Sequence, residues 1–162
     1  MTIFKNADGL YVRYGKSQSL PAREGSPSTN GVEKELIIDI EGTKLPAVGV
    51  STFVNGTPTA GLPAGVLLRS ATLIPTKAFT SDGNATLTIG LSKADGTVID
   101  ADGIDATIAK TAIDTIGETV ACDGALVNTV LADVSYVTVL VGTAAFTAGR
   151  AKLVLKYITP DA

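Results

Sequence analysis

The sequence predicts an all-β chain: an antiparallel two-sheet sandwich of jelly-roll type, with one short helix in a crossover and an extended N-terminal arm or loop. Three features predict it. Apolar residues alternate with polar or second-face residues at period two along several stretches, as in strands whose side chains project to opposite faces. Clusters of Gly, Asp, Asn, Pro and Ser separate these stretches at short intervals. The chain also has 162 residues, 45% of them apolar. A domain of that size buries roughly two-thirds of the surface its unfolded form exposes, so a single domain over residues 1–162 needs no staple.

The opening MTIFKNADGLYVRYG reads as a hairpin: Ile3 and Phe4 enter, 6–9 turns, and Leu10, Val12 and Tyr14 alternate with Tyr11 and Arg13. From Lys16 to Gly31 the sequence KSQSLPAREGSPSTNG is polar, holds Pro21 and Pro27, and has almost nothing to anchor it in a core, so it reads as a loop or arm available for contact. Val32 to Glu41 is an amphipathic strand, with Leu36, Ile38 and Ile40 on one side and Glu33, Glu35, Ile37, Asp39 and Glu41 on the other. Pro46, Pro58 and Pro63 argue against central-strand pairing in the connection that follows.

Leu62 to Leu91 writes two strands and their turn. Val66, Leu68, Ser70, Thr72 and Ile74 alternate with Leu67, Arg69, Ala71 and Leu73; after Pro75 a turn is expected through Thr80–Asn84, and Leu87, Ile89 and Leu91 then alternate with Thr86, Thr88 and Gly90. Asp95-Gly96 makes a turn, and Thr97–Ile99 pairs briefly. Between Ala101 and Ile116 the residues Ile104, Ile108, Ala112 and Ile116 recur every four positions, the spacing of a helix, with Asp102 placed to cap it and Gly117 to end it. Strands return at Thr119–Cys122, Tyr136–Val141 and Ala151–Ile158, the last two joined by a loop over Thr143–Gly149.

Composition excludes several function classes. There is no histidine, hence no His-based triad and no histidine-ligated zinc. Cys122 is the single cysteine, so no intramolecular disulfide forms, and a lone thiol reads as a small buried hydrophobe. The formal charge is -3 and the basic residues are scattered, which argues against direct nucleic-acid binding. No apolar run reaches the roughly 18 residues of a membrane span, and MTIFKNADG has no apolar signal core. The expectation is a soluble protein made in a cytoplasm, without membrane contact. Mean hydropathy is +0.32, more apolar than a free monomer requires.

Chemistry-bearing constellations are sparse. In DGTVIDADGID, Asp95, Asp100, Asp102 and Asp105 can supply oxygen ligands to calcium, although the segment lacks the distal glutamate and spacing of an EF-hand loop; the ordinary reading is turn formation and a helix cap. Paired carboxylates for glycoside hydrolysis do not stand out, and Glu33 and Glu35 share a solvated strand face. No GxGxxG, Walker loop, G-x-S-x-G or CxxC occurs. Trp is absent and aromatics are few, which weakens a carbohydrate-stacking reading. No catalytic residue and no cofactor are expected.

Three passages, IFKNADGLYVRYG, LPAGVLLRSATLIPTKAF with ATLTIGLSKADGTVID, and FTAGRAKLVLKYI, resemble the capsid decoration or cement proteins of tailed bacteriophages over roughly two-thirds of the chain. The resemblance implies a β-sandwich that forms a homotrimer on the outer capsid surface, has the major capsid protein as partner and fastens neighbouring capsomers, without turnover. On that reading Tyr14, Lys16 and Arg23 are the capsid-contact candidates. The alternatives are a head-fibre or tail accessory module, and a carbohydrate-binding β-sandwich.

Overall fold

The computed structural model describes residues 2–5, 11–14, 33–59 and 61–159. Contacts divide the chain into two compact units, Met1–Gly31 and Val32–Ala162, each described by itself. The first holds β1 (Thr2–Lys5) and β2 (Tyr11–Tyr14), paired antiparallel with Thr2 opposite Tyr14 and Lys5 opposite Tyr11, as the alternation there predicts. Residues 15–32, which include the expected arm, lie outside the described residues.

The second unit is a sandwich of two five-stranded antiparallel sheets. Its strands begin with β3 (Glu33–Glu41), β4 (Ser51–Phe53), β5 (Gly61–Leu62) and β6 (Leu67–Ser81), and continue with β7 (Thr86–Ser92) and β8 (Val98–Ala109). They end with β9 (Val120–Cys122), β10 (Thr129–Val130), β11 (Ser135–Gly142) and β12 (Phe146–Ile158). One sheet runs β10-β6-β12-β3 with β9 also on β6; the other runs β4-β11-β7-β8 with β5 also on β11. The two strands of Leu62–Leu91 therefore lie in different sheets, and the residues between them cross from one sheet to the other.

Alternation accounts for most of the core. Ile38 and Ile40 of β3, Leu153 and Leu155 of β12, and Leu73 of β6 point inward from the first sheet. Leu87, Ile89 and Leu91 of β7 and Val137, Val139 and Val141 of β11 meet them from the second. At one end Phe79 and Phe146 pack edge to face, ring centroids 5.4 Å apart. Burying one such aliphatic side chain stabilises the fold by about 1.5–3 kcal/mol.

Bulges displace the simple period in two places. In β6, Leu68 and Ala71 are both buried, because Tyr157 faces Leu68 while Lys156 faces Ser70, which leaves Arg69 as an extra residue. The inward face passes from Leu68 to Ala71 and Leu73, and Ser70, Thr72 and Ile74 on the other face are half-buried. The same strand continues through Pro75 to Ser81, so the turn expected over Thr80–Asn84 begins two residues later. Proline is accommodated because β9 pairs only with Ala71–Leu73, leaving that side of β6 without a ladder at Pro75, and because Thr76 is again an extra residue between Pro75 and Lys77.

The expected helix over Ala101–Ile116 is corrected: Val98–Ala109 is a strand and Lys110–Ala112 a 3-10 turn. Between the pairs Leu87–Ile108 and Ile89–Asp105, β7 advances two residues and β8 three; between Ile89–Asp105 and Leu91–Asp100, β7 advances two and β8 five. These insertions give a bulged strand a helix-like spacing of apolar residues. Ile104 and Ile108 are buried, but Ile116, the end of the proposed stripe, is 66% exposed. The Asp100–Gly103 run is also poor in helix propensity. Asp102 caps nothing; its N–H donates to Asp100 Oδ1 at 3.3 Å.

The larger insertion arches against β7 at Gly90. A Cβ there would strike the Ala101 carbonyl and lie 2.5 Å from the Asp100 oxygen. On its other side the arch is held by Gly124 N–H donating to Ile104 O and Leu126 N–H to Gly103 O, both at 2.8 Å. Gly90→Ala should therefore lower stability by about 1–3 kcal/mol, read as a lower urea midpoint at unchanged slope; an unchanged midpoint would contradict the close approach.

Candidate functional site

The four aspartates proposed for calcium occupy three separate settings. Asp95 sits in the β7–β8 hairpin turn, where its Oδ1 accepts the Thr97 N–H at 2.9 Å, and that hydrogen bond holds its carboxyl below the ordinary aspartate range. Asp100 and Asp102 are neighbours on the arch; partial burial, then the proximity of Asp102, pushes the Asp100 carboxyl up. Asp105 is buried, accepts the Thr107 N–H at 3.1 Å and lies near Cys122 and Asp123. Among the described residues, no group of three or more acidic, histidine or cysteine side chains is arranged to hold a metal ion.

Asp105 and Cys122 are inward-facing groups on facing strands. Burial, reinforced by the Asp105 charge, pushes the Cys122 thiol up to about 12, so it is protonated and unreactive near neutrality. Burial, with Asp123 adding to it, likewise pushes the Asp105 carboxyl up. Of the capsid-contact candidates, Tyr14 ends β2; Lys16 and Arg23 lie outside the described residues. Among the described residues, no helix is long and apolar enough to cross a membrane.

The two outer faces of the sandwich differ in chemistry. On the first sheet, cross-strand neighbours pair by charge: Lys152 with Asp39 at 3.1 Å and Arg150 with Glu41 at 2.8 Å, and Glu41 also meets Lys44 at 3.0 Å. Lys44, then Arg150, holds the Glu41 carboxyl below its ordinary range. These pairs are exposed and each contributes at most about 1 kcal/mol. They also give the β3 side of this sheet a row of charges that discourages edge-to-edge pairing.

The second sheet has no such row. On its outward side β11 carries Tyr136, Thr138, Leu140 and Gly142, opposite Ser92, Gly90, Thr88 and Thr86 of β7, and of these Thr138, Ser92 and Gly90 are buried. Ser51 and Phe53 of β4 continue the rows, with Phe53 packed edge to face on Tyr136, centroids 6.3 Å apart. Gly61 of β5 faces Tyr136 so closely that a Cβ would fall 2.8 Å from its ring. Beside β4, Val48 and Val50 are 45% and 46% exposed. Their loop is tied to the sheet by Gly49 N–H donating to Val141 O at 2.8 Å.

Sequence reading missed this face, although a signal was present. Leu45 to Leu68 contains no charged residue over 24 positions, where the chain-wide share of 18% would place about four, and Ser135 to Gly149 contains none either. Charges do border it: Asp100 and Asp102 lie on the arch over Gly90, Asp39 lines a cavity with Tyr136, and Lys93 pairs with Asp133 at 2.9 Å.

No protein-family model and no curated protein matches the sequence. Solved structures match in fold. A chain of the cyanophage Pam1 capsid asymmetric unit superposes with a TM-score of 0.57 at 16% identity, covering 92% of this chain and 100% of that one. A chain of the Ralstonia phage GP4 capsid gives 0.57 at 20% identity over 84% and 90%. A chain of the acidic stable capsid of Helicobacter pylori bacteriophage KHP30 gives 0.53 at 12% identity over 80% and 94%. The all-β sandwich fold is thus shared with chains found in phage capsids.

Two outcomes follow from the buried pair. The native Cys122 thiol should react with a disulfide reagent only at the rate of protein opening, whereas urea-unfolded protein reacts at once; fast native labelling would contradict its burial. Asp105 has a folded pKa above its unfolded one, so the folded state favours the protonated form and stability falls as pH rises from the ordinary aspartate value through the raised one. Asp105→Asn keeps an oxygen for the Thr107 N–H and removes that loss. It should exceed wild type in stability near pH 7 and lose the advantage near pH 3. A variant less stable at pH 7 would contradict this.

Proposed function

We propose that this chain is a structural virion protein that binds the outer surface of a tailed-phage capsid as an oligomer, a trimer on the closest reading, and stabilises the shell by fastening neighbouring capsomers of the major capsid protein. The likeness in fold to chains of three phage capsids, over most of both partners in each comparison, carries the reading. Fold alone does not fix function, and two features of the chain add support. Its side-chain chemistry fits a scaffold: the buried thiol is protonated, Asp95 serves a turn, and Asp39 and Glu41 serve ion pairs. Its N-terminal residues 16–31 are polar and proline-bearing, a composition suited to reaching a partner.

In this proposal residues 16–31 form a contact arm, and Tyr14, Lys16 and Arg23 touch the shell. Each contact is weak. Several copies held together on a lattice gain affinity through effective concentration, by a factor that can reach about 10²–10⁴. Attachment then needs binding energy and no turnover, so the chain is not an enzyme, and it needs no cofactor.

Co-sedimentation with expanded capsids of the phage that makes the protein tests the reading. Wild type should pellet with the particles; a variant lacking 16–31 should keep its cooperative thermal transition and bind at least about tenfold more weakly. Wild type left in the supernatant would overturn the proposed function. Undiminished binding by the deletion variant would overturn the role of the arm alone.

A further inference from the structure

We infer that the open cavity between the turn after β3 and the start of β12 binds a phosphate-type oxyanion through Lys77 and Arg150. The inference is independent of the proposed attachment to a capsid.

The first argument is a local imbalance of charge. Directly opposed residues on neighbouring antiparallel strands project their side chains to the same face, so β3, β12 and β6 lay cross-strand rows over the outer face of the first sheet. Two of these rows balance: Glu35 stands opposite Lys156, and Asp39 stands opposite Lys152, which it meets at 3.1 Å. Another does not. It reads Glu41, Arg150, Lys77, one acid for two bases, with the two bases directly opposed. Like charges so placed destabilise a sheet unless something neutralises them. Glu41 does not neutralise both, because its carboxylate already serves Arg150 at 2.8 Å and Lys44 at 3.0 Å. Among the described residues Lys77 forms no ion pair. Three bases, Lys44, Arg150 and Lys77, against the single acid Glu41 leave a surplus of two positive charges, on a chain whose formal charge is -3.

The second argument is shape. A cavity of about 380 Å³ opens where Glu41, Arg150 and Lys77 meet Thr43, Ala148 and Gly149. Ala148 and Gly149 carry too little side chain to fill it. Its walls are tied together: Gly42 approaches β12 so closely that a Cβ would lie 2.5 Å from the Ala148 oxygen, and the Thr76 hydroxyl donates to the Arg150 carbonyl at 3.2 Å. The site is therefore formed before a ligand arrives, and binding carries little ordering cost.

The chemistry of the lining selects the ligand. Arg150 donates from Nη2 to Glu41 at 2.8 Å and keeps the other N–H groups of its planar fork, while Lys77 brings three ammonium donors and Thr43 a hydroxyl. A phosphoryl group carries about −1.5 to −2 charges near neutrality, so one such group cancels the surplus, whereas a single carboxylate leaves half of it. Its oxygens also accept from both bases at once.

The test is a heteronuclear NMR titration of the full chain with sodium phosphate near pH 7, beside sodium chloride at equal ionic strength and glycerol phosphate as a phosphomonoester. Inorganic phosphate should shift the amides of Thr43, Lys77, Gly149 and Arg150 saturably, with a dissociation constant in the millimolar range, and chloride should leave them in place. Lys77→Gln and Arg150→Gln should each weaken binding at least about tenfold. Lys156→Gln removes the same charge from the same face outside the cavity and should bind as wild type does. Both site residues are exposed, thermal unfolding confirms that each variant is folded, and either variant decides the matter if the other unfolds. Glycerol phosphate that binds as tightly as inorganic phosphate marks a phosphoryl group on a larger molecule as the ligand, and binding of inorganic phosphate alone marks the free ion; both results uphold the site. No saturable shift, a shift that chloride reproduces, or equal weakening by Lys156→Gln would overturn the inference. Capsid co-sedimentation reads a different contact, so the loss of this site would leave the proposed function standing.

Discussion

Antiparallel pairing of β6 with β12 is the constraint on which the rest of the sandwich depends. These are the two longest strands, of 15 and 13 residues. Each is paired on both flanks: β12 carries β3 on its other side, and β6 carries β9 and β10. Their facing inward pairs Leu73–Leu153 and Ala71–Leu155 are almost wholly shielded from solvent, and they form the floor on which β7 and β11 lay their own apolar rows. The bulges in this pairing serve it. Extra residues at Arg69, at Thr76 and again between Lys77 and Thr80 turn the strand so that Leu68, Leu73 and Phe79 all reach the core, and Gly149, at a φ of +128°, leaves room for the Phe79 ring.

What the sequence made legible was governed by period. Where one residue pairs with one, as in β7 with Leu87, Ile89 and Leu91, in β3 with Ile38 and Ile40, and in β12 with Leu153 and Leu155, alternation named the inward side chains. Where strands bulge, period misled: β8 took on the spacing of a helix, and β6 changed its inward set part-way. Each bulged strand does carry a marker, Gly103 within the β8 insertion and Pro75 beside Thr76 in β6, but the partner sets its extent, as when Gly90 of β7 admits the arch of β8. The start of β12 at Phe146 was hidden for another reason, since Gly, Ala and Thr around it read as loop.

The candidate surfaces were less legible than the fold. Thr86 and Thr88 lie on β7, Thr138 on β11 and Ser51 on β4, and only the topology sets these strands side by side. The ion-paired face of the first sheet arises in the same way from residues more than a hundred positions apart, such as Asp39 and Lys152. The proposed role in assembly rests on the fold shared with chains of phage capsids and on the polar composition of residues 16–31.

Hydrogen–deuterium exchange of the protein free in dilute solution and bound to capsids tests that role most directly. Attachment through the proposed arm predicts added protection on particles in residues 1–31, with β3 and β12 unchanged. Protection gained mainly along β3 and β12, with none in the N-terminal residues, would contradict it.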